Sequence, residues 1–124
     1  MKTWISIGSF IMASGITLGA FGAHGLKDRL SEYQLDIWEK AVFYQLIHGL
    51  AILAICLLSR TEFLSLSSGN KLSAAFLFGI LFFSGSLYAL ALTNIKWLGA
   101  ITPIGGLAFI IGWIVLCVLS FKQA

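Results

Sequence analysis

The sequence predicts an all-α integral membrane protein: a four-helix bundle of spanning helices with a short amphipathic interfacial helix between spans one and two. Three observations lead there. Of the 124 residues, 59% are hydrophobic and only 10% are charged, where a soluble domain carries roughly a quarter charged. The charged residues fall almost wholly between four apolar runs, over residues 4–23, 41–59, 72–93 and 100–121. Each run has the length that a hydrocarbon core of about 30 Å requires of a helix. Together they use up most of residues 1–124, so one membrane domain without a separate soluble part is expected.

The first run begins with Lys2 ahead of an apolar stretch and reaches small residues near Ala23, a pattern that also resembles a secretory signal. It is read here as a retained first span. Gly15 and Gly19 form a GxxxG step continued by Ala23, and Gly8 and Gly22 add further thin places. Helices in lipid gain little hydrophobic energy by meeting, so small residues that let backbones approach are a common route to packing contacts. The run ends in "GAFGAHGL", where Gly22 and Gly25 flank His24 and suit a helix end followed by a corner.

Next comes the chain's one sizeable polar segment. Leu26, Leu30, Tyr33, Ile37 and Ala41 recur at spacings of three and four, with Lys27, Asp28, Arg29, Glu32, Asp36, Glu39 and Lys40 on other positions. The pattern predicts an amphipathic helix over about 26–40 lying in the interface. Calling the N-terminal side of the membrane side A, four spans return the C-terminus to side A and leave 24–40 and 94–99 on side B. Trp4 near side A, and Trp38 and Trp97 on side B, suit aromatic anchors at the headgroup levels. Trp113, deep in the fourth span, is read as packing.

The second span opens "AVFYQLIHGLAIL", which puts Tyr44, Gln45 and His48 on neighbouring positions of one helix face. The third span arrives at side B with Ser84, Ser86, Tyr88, Thr93 and Asn94. The fourth starts "AITPIGG", where Thr102 can cap the helix and Pro103 can occupy its first turn. Helix direction alone therefore gathers His24, Tyr44, Gln45, His48, Ser86, Tyr88, Asn94 and Thr102 in the side B half, as a ligand-binding or helix-bridging polar cluster. Polar groups in hydrocarbon cost energy unless partnered, and an intramembrane histidine invites a functional reading.

Several function classes lack support. A net charge of +3, dispersed and without a basic patch, does not suggest a nucleic-acid partner. Cys56 and Cys117 lie inside predicted spans and are read as small hydrophobes rather than as a disulfide or metal site. Two histidines without a nearby ligand set make no metal centre, and no cofactor is expected. GxSxG, HExxH, P-loop and CxxC motifs are lacking and every Asp and Glu sits in a connecting segment, so no catalytic residues are assigned and no enzyme is expected.

"GAFGAHGL", "YQLIHGLAIL", "SGSLYAL" and "ITPIGGLAFIIGW", in this order, resemble the family numbered 423 among domains of unknown function, small four-span membrane proteins of bacteria with relatives in eukaryotes. The resemblance covers nearly the whole chain. It implies the four-helix membrane fold and directs attention to His24, Gln45, His48, Ser86, Tyr88, Thr102, Pro103 and Gly105. It implies no catalytic role.

The expectation is a non-enzymatic integral membrane protein, a homo-oligomer with a structural or accessory role, its partners being membrane lipids and further copies of itself. An alternative is a small-solute or ion transporter or channel component using the polar cluster around His48. A further one is a lipid or quinone-like small ligand held between helices. A bacterial cell membrane location is expected. Lys and Arg divide evenly between the two sides, and the Lys2-led first span favours cytoplasmic termini.

Overall fold

A computed structural model describes residues 1–123. The helices are α1 (Lys2–His24), α2 (Glu32–Arg60), α3 (Leu66–Gly79), α4 (Gly85–Thr93) and α5 (Thr102–Gln123). A single π-helical turn, Ile80–Ser84, joins α3 to α4, and a short 3-10 helix, Lys96–Ala100, precedes α5. No strand occurs among the described residues. Among the described residues four segments are long and apolar enough to cross a membrane: Lys2–His24, Glu32–Arg60, Leu66–Thr93 and Lys96–Lys122.

The separate interfacial helix expected over 26–40 does not form. Residues 25–30 are turns closed by bonds from Leu26 N–H to the Phe21 carbonyl and from Leu30 N–H to the Leu26 carbonyl. Leu26 is buried. Ser31 then starts α2 with a capping box: its hydroxyl accepts from Gln34 N–H at 3.1 Å, and the Gln34 side chain accepts from Ser31 N–H at 3.0 Å. No glycine or proline interrupts 32–48, so nothing breaks the helix before it enters the hydrocarbon. The apolar spacing that suggested a flat helix is the wet end of the inward stripe of α2, where Ile37, Trp38 and Ala41 are buried in line with Gln45 and His48.

α2 and the α3–α4 span form the centre. α1 packs chiefly on α2, and α5 on α3 and the π turn. On α1 the buried glycines are Gly8, Gly15 and Gly22. A Cβ on Gly8 would lie 2.9 Å from Leu53, one on Gly15 2.7 Å from Leu46, and one on Gly22 2.5 Å from Trp38. Gly49 of α2 returns the fit against Ile11 and Met12. The expected stripe of Gly15, Gly19 and Ala23 is corrected accordingly: Gly15 is at the interface, Gly19 only half-buried near Val42, and Ala23 exposed. Seven residues bring a helix back to within about 20° of its starting face, whereas eight overshoot by about 80°, so the heptad glycines share a face that Ala23 leaves.

The α5 contact is tighter still. A Cβ on Gly105 would run into the backbone of Phe83 and of Gly79, and Phe109 covers Gly79. The fourth span thus lies backbone against backbone on the π turn. Two hydrophobic clusters fill the rest, one around Ile52, Ile55, Leu72 and Phe76, the other around Trp38, Ala41, Leu87 and Ala91.

Trp38 is a second correction. It is 3% exposed, seated on Gly22, and its indole N–H donates to the Leu18 carbonyl at 2.8 Å, so it is an internal lock between α1 and α2 rather than an anchor. The bare surface of Gly22 gives the indole an inward seat. Trp97 is 66% exposed, and Trp4 is half-buried at the other end, bonded to the Asn70 side chain at 3.1 Å. Cys56 and Cys117 are free thiols.

Gly105→Ala is expected to cost about 1–3 kcal/mol, because the obstacle to the added methyl is backbone and cannot rotate away. Gly85 has nothing within 4 Å of its would-be Cβ, so Gly85→Ala should be neutral or stabilise by up to about 1 kcal/mol. Reversible unfolding in mixed detergent micelles measures both. Equal effects of the two substitutions would contradict the close approach.

Candidate polar site between the helices

Gln45 is at the centre of the polar interior. It is 5% exposed and stands where Gly15 leaves α1 thin: a Cβ on Gly15 would sit 3.2 Å from its Nε2. The two N–H groups of Nε2 donate to the Ile11 carbonyl and the Ser14 hydroxyl, each at 3.0 Å. Oε1 accepts from the Tyr88 hydroxyl at 2.5 Å. A carbonyl can only accept, so the orientation of this amide follows from its partners. One side chain therefore ties α1, α2 and α4 together, and the Trp38 ring packs edge-on against Tyr88, 4.7 Å between centroids.

His48, one turn deeper and 3% exposed, is a second lock. Nδ1 lies 2.9 Å from the Tyr44 carbonyl and Nε2 accepts the Trp113 indole N–H at 3.0 Å. An indole N–H only donates and a carbonyl only accepts. The geometry therefore specifies the neutral imidazole with its proton on Nδ1. Phe109 stacks on the ring at 3.5 Å between centroids and 10° between planes. Trp113, expected as packing, is the hydrogen-bond partner that carries α5 to α2.

Three more bonds close the set. The Ser86 and Thr102 hydroxyls meet at 2.6 Å, joining α4 to the start of α5. Thr102 therefore spends its hydroxyl across the bundle, and it is the first helical residue of α5 rather than its cap; Pro103 occupies the first turn as expected. The Ser84 hydroxyl, on the π turn, donates to the Ala41 carbonyl at 2.8 Å, and the Gln34 amide to the Ala91 carbonyl at 2.8 Å.

The expected single cluster is thus three separate locks: Gln45 with Tyr88, His48 with Trp113, and Ser86 with Thr102. His24 and Asn94 join none of them. His24 is exposed at the end of α1, because the inward face there belongs to Gly22. Asn94 is exposed and holds φ 56°, the left-handed end of α4 that asparagine tolerates better than most side chains. Tyr44 contributes its carbonyl to His48 and its ring to Phe83, 4.4 Å between centroids.

Outside the His48 lock, Tyr44, His48, Phe83, Phe109, Ile110 and Trp113 line a cleft of about 310 Å³ between α2 and α5. Its walls are almost wholly aromatic and aliphatic, and Gly106 opens one side. Among the described residues no group of three or more His, Cys, Asp or Glu is placed to hold a metal ion.

A family model described as "Protein of unknown function (DUF423)" matches residues 18–106. The chain is 51% identical over 124 residues to a protein of Staphylococcus epidermidis named a UPF0382 membrane protein, covering 100% of this chain and 99% of that one. A Staphylococcus aureus protein of the same name is 50% identical over 124 residues, again 100% and 99%. One from Staphylococcus saprophyticus is 49% identical over 122 residues, 98% and 99%. No solved structure shows a significant match. With four apolar spans in the fold and a family match over most of its length, the chain is a membrane protein and belongs to the DUF423, or UPF0382, family.

Proposed function

We propose that this chain is a non-enzymatic membrane protein that self-associates in the bilayer and serves a structural or accessory role, with its polar interior spent on holding the spans together. One observation carries the reading. Gln45, His48, Ser84 and Ser86 are buried, and each bonds to a group on another span. These four groups are consumed across the bundle, and in the side A half Ile52, Ile55, Leu72 and Phe76 supply hydrocarbon around the buried Ser59 and Ser73 hydroxyls, which have no bonding partner among the described residues. That arrangement weighs against a transport path through one copy.

Self-association draws support from the outward face of α1. Ser6, Ser9, Ala13, Thr17 and Ala20 are exposed at spacings of three and four, opposite the face that Gly8, Gly15 and Gly22 present to α2. Exposed Leu and Phe are at home among acyl chains, but a thin helix face admits a second helix more closely than lipid tails can follow. The Lys2-led start of α1 supports a cytoplasmic placement of side A.

The cleft beside His48 favours a second reading, a ligand between α2 and α5. The Tyr44 hydroxyl has no hydrogen-bond partner among the described residues, and the lining suits a flat apolar molecule with one polar group.

The locks have a direct test. Tyr88→Phe and Gln45→Leu are each expected to lower stability by about 0.6–1.7 kcal/mol, the range for such bonds in membranes. In a double-mutant cycle by unfolding in mixed micelles, the two should couple rather than add; additive losses would count against the network. Native mass spectrometry from lipid nanodiscs tests the rest. A defined oligomer of the same copy number, with the mass of protein alone in both wild type and His48→Ala, supports the structural reading. An additional small-molecule mass that His48→Ala removes supports the second, and monomers alone would end the self-association proposal.

A further inference from the structure

The formal charge of this protein is concentrated at one end. Side B carries Lys27, Arg29, Lys40 and Lys96, but Asp28, Glu32, Asp36 and Glu39 cancel them. Side A carries Lys2, Arg60, Lys71 and Lys122 against Glu62 alone, so the whole net charge of +3 sits there. Counting cations alone shows a tie and hides this difference.

Lys71 stands at a junction on that end. On one side of it, α3 and α5 leave a groove of about 310 Å³, with Ser68 and Lys71 at the mouth and Leu72, Ala75, Ile111, Gly112, Val115 and Leu119 along its length. On the other, Lys71 borders a shallow shelf formed with Thr3, Trp4, Leu66 and Asn70. The shelf is ordered by the Trp4 to Asn70 hydrogen bond. From Leu119 to Ile111 the groove descends about 12 Å along α5, at the rise of a helix, from a cationic rim into pure hydrocarbon.

We propose that this is a site for an anionic glycerophospholipid. The phosphate pairs with Lys71, an acyl chain lies in the α3–α5 groove, and the headgroup rests on the Thr3, Trp4 and Asn70 shelf. The polarity gradient runs in the same direction as that of a lipid, Lys71 puts a cation at the mouth, and the end of the bundle around it, with four cations and one carboxylate, favours negative charge. A lysine at this depth extends its stem along the groove wall and keeps the ammonium at the headgroup level.

The test uses the full chain in nanodiscs of phosphatidylcholine doped with phosphatidylglycerol, released for native mass spectrometry. Wild type should retain a phosphatidylglycerol adduct in preference to phosphatidylcholine. Lys71→Gln should lower that preference about fivefold, the effect of one cation near an anionic surface. Lys71→Arg should keep it, and Lys27→Gln, at the opposite end, should leave it unchanged. Val115→Phe, a substitution at a lipid-exposed position, should fill the groove and remove the adduct while Lys71 stays in place. Equal retention of the two lipids, an adduct indifferent to Lys71→Gln or to Val115→Phe, or a Lys27→Gln loss as large as that of Lys71→Gln would each overturn the site. A dimer abolished by Val115→Phe would assign the groove to a second copy and overturn it too.

Discussion

The reach of the Gln45 amide to the Ile11 carbonyl is the interaction on which the bundle depends. In water an exposed helix carbonyl has solvent to bond. In hydrocarbon a buried amide with no partner costs several kcal/mol, so Gln45 could not point inward unless α1 came close enough to meet it. Gly15 permits that approach, because any side chain there would occupy the space of Nε2 and of Leu46. The same amide holds Tyr88 through its oxygen, so the closeness of α1 to α2 also decides where α4 sits. Packing and polar pairing are one requirement here: the glycines thin the helix, and the amide fills the thinned place with bonds that lipid cannot offer.

The other flank of the protein solves the same problem without a glutamine. Gly105 lets α5 lie on the backbone of the π turn, and the turn itself presents Ser84 to a carbonyl of α2. A π turn inserts a residue into an otherwise regular helix and is found most often where a helix must do something besides span. In this protein it sits where α2, α5 and the third span all touch. The two outer helices are therefore held by different means, α1 by heptad glycines with the Gln45 and Trp38 bonds, α5 by backbone approach with the His48 and Thr102 bonds.

The spans were legible in the sequence because hydropathy and charge placement are properties of single segments. Gln45, His48, Ser86, Tyr88 and Thr102 were legible as inward polar residues for a similar reason, since helix direction sets their depth. Their pairing was not, because which residue of one helix meets which of another depends on rotation and tilt, and Trp113, Ser14 and the Ile11 carbonyl carry no local mark of their role. His24 and Asn94 share the right depth but face outward. The amphipathic pattern of residues 26–40 failed for a different reason: a helix lying in the interface and a spanning helix that protrudes into water write the same periodicity. The Ser31 to Gln34 capping box and the unbroken stretch after it were the features that distinguished them, and both stood in the sequence.

The His48 lock shows how far such geometry limits chemistry. To pass a proton, an imidazole must take it at one nitrogen and release it at the other, and its partners must exchange roles as it does. Neither partner here can do so: the Trp113 indole N–H donates and cannot accept, and the Tyr44 carbonyl accepts and cannot donate. A cationic imidazole would carry protons on both nitrogens and would turn Nε2–H against the indole N–H, breaking the bond that joins α2 to α5. The pair is therefore built to hold one tautomer in one place. The Phe109 face stacked on the ring adds a further apolar wall, and what the arrangement offers is a fixed aromatic surface beside a cleft, a feature suited to packing against a helix or a flat apolar molecule rather than to moving charge.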